Sequence, residues 1–171
     1  MTLWKQKDWE MKYKKRLGSE VFAFIGKDKN LIEYLSDYEY VSTNLNKSAN
    51  KHQLTDNSMF VLHICKIFEG VLQLIADEAG WYSSYNNGNY TPIRAFYINN
   101  RTQIETDISA KCSKSAQLVI DKLFSTVGDF TERHEAVHYG SFMNVEEIEN
   151  YDAILTKIKD VVKVLIDNKL L

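Results

Sequence analysis

The sequence predicts a single all-α, helical-bundle domain, and three observations lead there. The chain has 171 residues, the usual size of one domain. It holds one proline and seven glycines, too few for the many tight turns of a β-sandwich or barrel. Its apolar residues recur at spacings of three and four over most of the length. With 44% of residues hydrophobic and 26% charged the chain can bury a core, and the scarcity of proline and glycine argues against disorder as well. Five or six helices are expected, with no internal repeat, linker or low-complexity tract.

The elements follow in order. Residues 3–17 form a basic amphipathic helix, with Trp4, Met11 and Tyr13 toward one side and Gly18 ending it. Its lysines make a solvated face or, alternatively, an RNA-backbone contact or docking arm. Residues 19–45 are one or two helices broken near Gly26-Lys27-Asp28, with Leu31, Leu35 and Tyr38 on one face. Residues 46–56 are a polar loop. Residues 57–79 form the central buried helix, with Thr55 or Asp56 as N-cap and Gly80 as its C′ residue. Nearly all its faces are apolar. One narrow polar stripe remains (His63, Lys66, Glu69 and Gln73, with Leu62 at its edge), as suits a cleft or a buried polar partner.

Residues 81–102 change character. Six aromatics, Trp81, Tyr82, Tyr85, Tyr90, Phe96 and Tyr97, fall in what reads as an irregular insertion, with a turn at Asn87-Gly88 and an extended piece or hairpin arm at Thr91–Ile98. The aromatics either pack the insertion onto the body or stack on unpaired bases. Residues 113–127 are helical, with Ala116, Val119, Ile120, Leu123 and Phe124 inward. Residues 144–170 form a long last helix, capped by Asn144 with Glu147 at the capping-box position. Its apolar face runs through Tyr151, Ile154, Leu155, Ile158, Val161, Val162 and Leu165.

Charge and cysteine content narrow the function classes. A net charge of −2 and a pI near 6.1 exclude a strongly basic DNA-coating protein but allow a nucleic-acid enzyme with one local basic cleft. Cys65 and Cys112 form no CxxC, so free thiols in a reducing cytoplasm are expected. The opening residues show no signal-peptide pattern, and no apolar window reaches membrane-spanning length. No P-loop, G-x-G-x-x-G or G-x-S-x-G setting is present.

The string FTERHEAVHYG holds two overlapping motifs. The first is Arg133-His134-x-x-x-His138. With Val137 before the histidine and a long helix after it, this resembles the R-x4-H signature of the HEPN superfamily, all-helical nucleases and toxins whose motif opens a helix late in a short bundle. The resemblance covers about residues 19–170 and rests on position and helical context more than on the few fixed positions. RNA cleaves itself when its 2′-OH is deprotonated and the scissile phosphate is stabilised. Histidine titrates near neutrality and serves the first need. Arginine, a permanent cation with a planar fork, serves the second. On one helix the two stand about 140° apart, so Arg133 must reach around from the first turn.

The resemblance implies a homodimer with both motifs in one cleft, His138 as general base or acid, Arg133 on the phosphate, no cofactor or metal, and a 2′,3′-cyclic phosphate product. It also implies a toxin or antiviral effector restrained by a cognate antitoxin or regulatory partner. Lys66-x-x-Glu69 is similar to the basic-x-x-acidic pair of the RNase LS class of toxins, with lysine in place of arginine. It nominates Glu69 as orienter of Arg133 or His138, against a simple local pair between Lys66 and Glu69. Some members carry a modifiable tyrosine two residues after the histidine. Here Gly140 stands there and Tyr139 is one place early, so that control is not expected.

The second motif, His134-Glu135-Ala136-Val137-His138, is H-E-x-x-H and resembles zincin metalloproteases. The i, i+4 histidines would bind zinc and Glu135 would activate a water. Glu132 and Gly140 depart from the usual flanks, the supporting sheet is missing, and Glu146, Glu147 and Glu149 offer no distinct third ligand. A non-catalytic HEPN interaction module is the remaining alternative.

Overall fold

A computed structural model of the chain describes residues 6–47, 58–86, 88, 91–134 and 145–171. For 6–8, 41–47, 58–61, 129–134 and 145–152 the backbone course alone is described. The described residues form nine α-helices and no strand. Helices α1 (Gln6–Leu17), α2 (Ser19–Ile25) and α3 (Lys29–Lys47) precede the central α4 (Ser58–Glu78). Short α5 (Trp81–Tyr85) and α6 (Ile93–Asn99) lead to α7 (Arg101–Lys111), α8 (Ala116–His134) and α9 (Val145–Asp167). One apolar core runs through all of them, from Trp9 to Leu170. No helix among the described residues is long and apolar enough to cross a membrane.

The first helix packs on a different face from the expected one. Trp9, Tyr13 and Leu17, spaced by four, are buried, whereas Met11 is 62% exposed. At 100° per residue Met11 lies about 200° from Trp9, so both cannot face the core. Trp4 and the expected start at residue 3 lie outside the described residues. The helix is held to the bundle rather than extended as an arm. Lys12 Nζ donates to both carboxylate oxygens of Glu39 on α3, at 2.7 and 2.9 Å. Glu39 is buried, and a carboxylate out of water needs such a partner. Gly18 separates α1 from α2 at φ +88°, a conformation that costs glycine little.

The expected break at 26–28 is present. Asp28 Oδ1 accepts from the backbone N–H of Asn30 at 2.9 Å and starts α3. Leu31, Leu35 and Tyr38 are buried as one face, pressed on α4. That contact is close enough that any larger residue at position 70 would force the buried Leu31 side chain to shift. A Cβ on Gly70 would lie 2.5 Å from Leu31 Cδ2. In α4 itself Ile64, Ile67, Phe68, Val71, Leu72, Ile75 and Ala76 are buried. Gly80 follows in the left-handed region at φ +73°, and its carbonyl accepts from Ser84 N at the start of α5. The proposed N-caps Thr55, Asp56 and Asn144 lie outside the described residues, as do Asn87 and Tyr90.

The segment 81–102 corrects the sequence expectation. Among its described residues it forms helices at Trp81–Tyr85 and Ile93–Asn99 and enters α7 at Arg101, and Thr91–Ile98 is no hairpin arm. Phe96 and Tyr97 are adjacent, and both are fully buried. A strand sends neighbours to opposite faces, while a helix turning at Ile93, Phe96 and Tyr97 buries all three. Pro92 precedes the first turn, its carbonyl accepting from Phe96 N at 2.9 Å. Of the six aromatics, Trp81, Phe96 and Tyr97 pack in the core, with edge contacts of 6.4 Å between Trp81 and Tyr97 and 5.6 Å between Phe96 and Tyr97. Tyr97 Oη donates to the Leu72 carbonyl at 2.9 Å. Burial, with Asp77 nearby, holds its hydroxyl well above the ordinary tyrosine pKa. Trp81 Nε1 donates to Asp107 Oδ2 at 2.7 Å.

Helix α7 had no sequence signal because only Ile104 and Ile108 turn inward. Helix α8 starts at Ala116, three residues later than expected from 113–127, and continues past Val127 and Gly128 to His134. Val119, Ile120, Leu123 and Val127 carry its buried face. In α9 the expected face is buried from Ile154 to Leu165. Both cysteines are free. Burial and Asp107 raise the Cys112 thiol, with Lys111 opposing.

The two helical glycines have opposite expected responses to alanine. Gly70→Ala gains about 1 kcal/mol of helix propensity but overpacks against buried Leu31 at about 1–3 kcal/mol, for a net loss. Gly128 is exposed with nothing within 4 Å of a built Cβ. Gly128→Ala is expected to stabilise by about 0.5–1 kcal/mol. Urea midpoints at constant m-value check both signs.

Candidate functional site

The polar stripe of α4 is where the bundle leaves its central helix open. Lys66, Glu69 and Gln73 line a groove of about 350 Å³, completed by Tyr34 of α3, Thr91 and Ile93. Three side chains one turn apart on a helix share a face, and α3 and α6 stand on either side of it. Lys66 Nζ lies 5.1 Å from the Tyr34 ring centroid, a cation–π distance. Gln73 Nε2 donates to Asp77 at 3.0 Å. Among the described residues Glu69 makes no ion pair, and the local Lys66–Glu69 bridge weighed from sequence does not form. The groove therefore presents a cation held over an aromatic ring and an unpaired carboxylate.

His63, the fourth member of the stripe, turns away toward α3. Its Nε2 is 3.8 Å from Asp37 Oδ2, and its buried Nδ1 has no hydrogen-bond partner among the described residues. Leu62 is exposed at the edge, as its position predicts.

Arg133 and His134 occupy the last described turn of α8. This corrects the expectation that the motif opens a helix, because α8 is already formed from Ala116 onward. Their side chains, and residues Glu135 and His138 entirely, lie outside the description. Glu146, Glu147 and Glu149 fall in the first turns of α9, likewise as backbone.

Cross-helix contacts fix the directions. Helices α3 and α4 are antiparallel, since Asp37 meets His63, Tyr34 meets Lys66 and Leu31 meets Gly70. Helices α8 and α9 are antiparallel, since Lys122 meets Asp160 at 3.5 Å and Ser115 meets Asn168. Through α2 and the residue pair that follows it, Lys27 joins Glu78 and Glu20 joins Lys163, so α4 and α9 finish at one end. It follows that α8 ends where α4 begins. Arg133 and His134 thus share a bundle end with the first turns of α4, while Lys66 and Glu69 lie further along it.

Among the described residues no group of three or more His, Cys, Asp or Glu side chains is arranged to hold a metal ion. A zincin sets its active helix beside a sheet, and the described residues contain no strand to serve as one.

Double-mutant cycles test this geometry. Lys66 with Tyr34 is expected to couple by about 0.5–1 kcal/mol. Lys66 with Glu69 is expected to couple within about 0.3 kcal/mol of zero, since no bridge joins them. The reverse ranking in urea unfolding would contradict the placement of Lys66.

Comparison of the chain with protein-family models, with curated proteins and with solved structures gave no match.

Proposed function

We propose that the chain is a metal-independent RNA endonuclease of the HEPN kind, acting through Arg133 and His138. The observation that carries this reading is the R-x4-H motif itself, which starts in the last described turn of α8 in a chain whose described residues contain helices and no strand. The chemistry asks for one titrating group and one fixed cation, and the motif supplies both. His138 takes the proton of the 2′-OH, whose oxygen then attacks the adjacent phosphorus. The bond to the 5′-oxygen breaks, that oxygen is protonated, and a 2′,3′-cyclic phosphate remains. Arg133 neutralises the charge that builds on the phosphate oxygens. Lys66, Glu69 and His134 take supporting roles, Lys66 and Glu69 from the groove on the central helix.

On this reading two copies pair so that both motifs border one cleft. The activity would harm the cell that makes it, so a cognate antitoxin or other regulator restrains it. A toxin or antiviral effector in the cytoplasm fits that requirement.

RNA incubation in the presence of a chelator tests the proposal. The parent is expected to cleave with chelator present. His138→Ala and Arg133→Ala are expected to lose about 10²–10⁴ of the rate while keeping the helical signal. Cleavage lost on chelation, or unchanged in both variants, would refute it.

A further inference from the structure

Helices α5, α6 and α7 border a second, open groove of about 650 Å³. It shares no residue with the Lys66–Glu69 groove or with the motif at 133–138. Its walls are Tyr85, Asn99, Thr102, Gln103, Thr106 and Asp107. The local reason is the pattern of α7. Only Ile104 and Ile108 point inward, so Thr102, Gln103, Thr106 and Asp107 share one polar outer face of α7, and Asn99 joins them from the end of α6.

The chemistry of that face is unusual for this chain. A quarter of all residues are charged, yet the wall carries one charge, Asp107, and no lysine or arginine. Asp107 is already engaged, by Trp81 Nε1 at 2.7 Å and Lys111 Nζ at 2.9 Å. Thr106 donates to the Thr102 carbonyl inside its own helix. The carboxamides of Asn99 and Gln103 make no hydrogen bond with other described residues. Tyr85 also lines the groove, half-buried against the core. The groove thus offers two planar amides without partners among the described residues, each with a donor and an acceptor, together with an aromatic ring.

We infer that this groove holds an unpaired nucleobase. Neutral amides pair with the donor–acceptor edges of bases, and an aromatic ring supplies a stacking surface. A phosphate finds no free cation on this wall, since the neighbouring Lys111 is paired with Asp107. A sugar, which favours free carboxylates for its paired hydroxyls, finds the one carboxylate taken. That the base belongs to an RNA substrate rests on the ribonuclease reading, whereas base binding itself does not.

The test is titration of the full chain with adenosine, cytidine, uridine and guanosine, followed by the side-chain amide NMR signals of Asn99 and Gln103, with glucose as the sugar probe. At least one nucleoside is expected to shift both signals saturably. Asn99→Ala/Gln103→Ala is expected to weaken its binding about tenfold or more. Gln103→Glu, which keeps the shape and removes the donor, is expected to weaken it too. No shift with any nucleoside, an equal response to glucose, or unchanged affinity in the double variant would overturn the inference. Parallel RNA cleavage assays separate the two readings. Nucleoside binding with an inactive parent keeps the groove and removes the ribonuclease, and cleavage without nucleoside binding does the reverse.

Discussion

Helix α4 is apolar on most of its circumference, and water is excluded from it only if other helices surround it. Helices α3, α5, α6, α8 and α9 all pack against it. A fully buried leucine or isoleucine side chain is worth about 1.5–3 kcal/mol, so stripping any one neighbour from α4 costs several such terms at once. The remaining architecture answers this demand. Gly70 lets α3 approach, Tyr97 donates to the Leu72 carbonyl, and the aromatic group at 81–97 covers the far end of the helix.

The same constraint decides where polar chemistry is possible. A helix covered on nearly all sides exposes only what its neighbours leave open, and for α4 that is Lys66, Glu69 and Gln73. Lys66 rests on Tyr34, and Glu69 has no ion-pair partner among the described residues. Elsewhere some exposed ion pairs lie within one helix, such as Arg101 with Glu105, and others tie helices together, such as Lys122 with Asp160 and Lys163 with Glu20. Surface bridges of this sort add little stability each, but they set register between elements that the core already joins.

Much of the fold was legible because it follows from periodicity. The faces of α3, α4 and α9 emerge as read, from Leu31–Leu35–Tyr38 through Ile64–Ala76 to Ile154–Leu165. Three parts were not legible, each for a physical reason. Met11 and Trp9 compete for the inner face of α1, and only tertiary packing decides for Trp9. The aromatic run at 91–98 suits strand and helix alike until Phe96 and Tyr97 are both seen to be buried. Helix α7 lacks an apolar stripe and is helical because Ile104 and Ile108 dock. At the candidate site, the groove beside Lys66 and Glu69 was readable as a gap in an apolar helix. The amide-lined groove at Asn99 and Gln103 was not, because it needs three short helices that periodicity did not announce.

Native-state hydrogen exchange on α4 is the most direct measurement of its central place. Amides of residues 64–76 are expected to exchange only through global unfolding, with opening free energies equal to that from urea denaturation. Faster exchange there than in α9, through an opening that leaves α9 protected, would show that the bundle does not depend on α4.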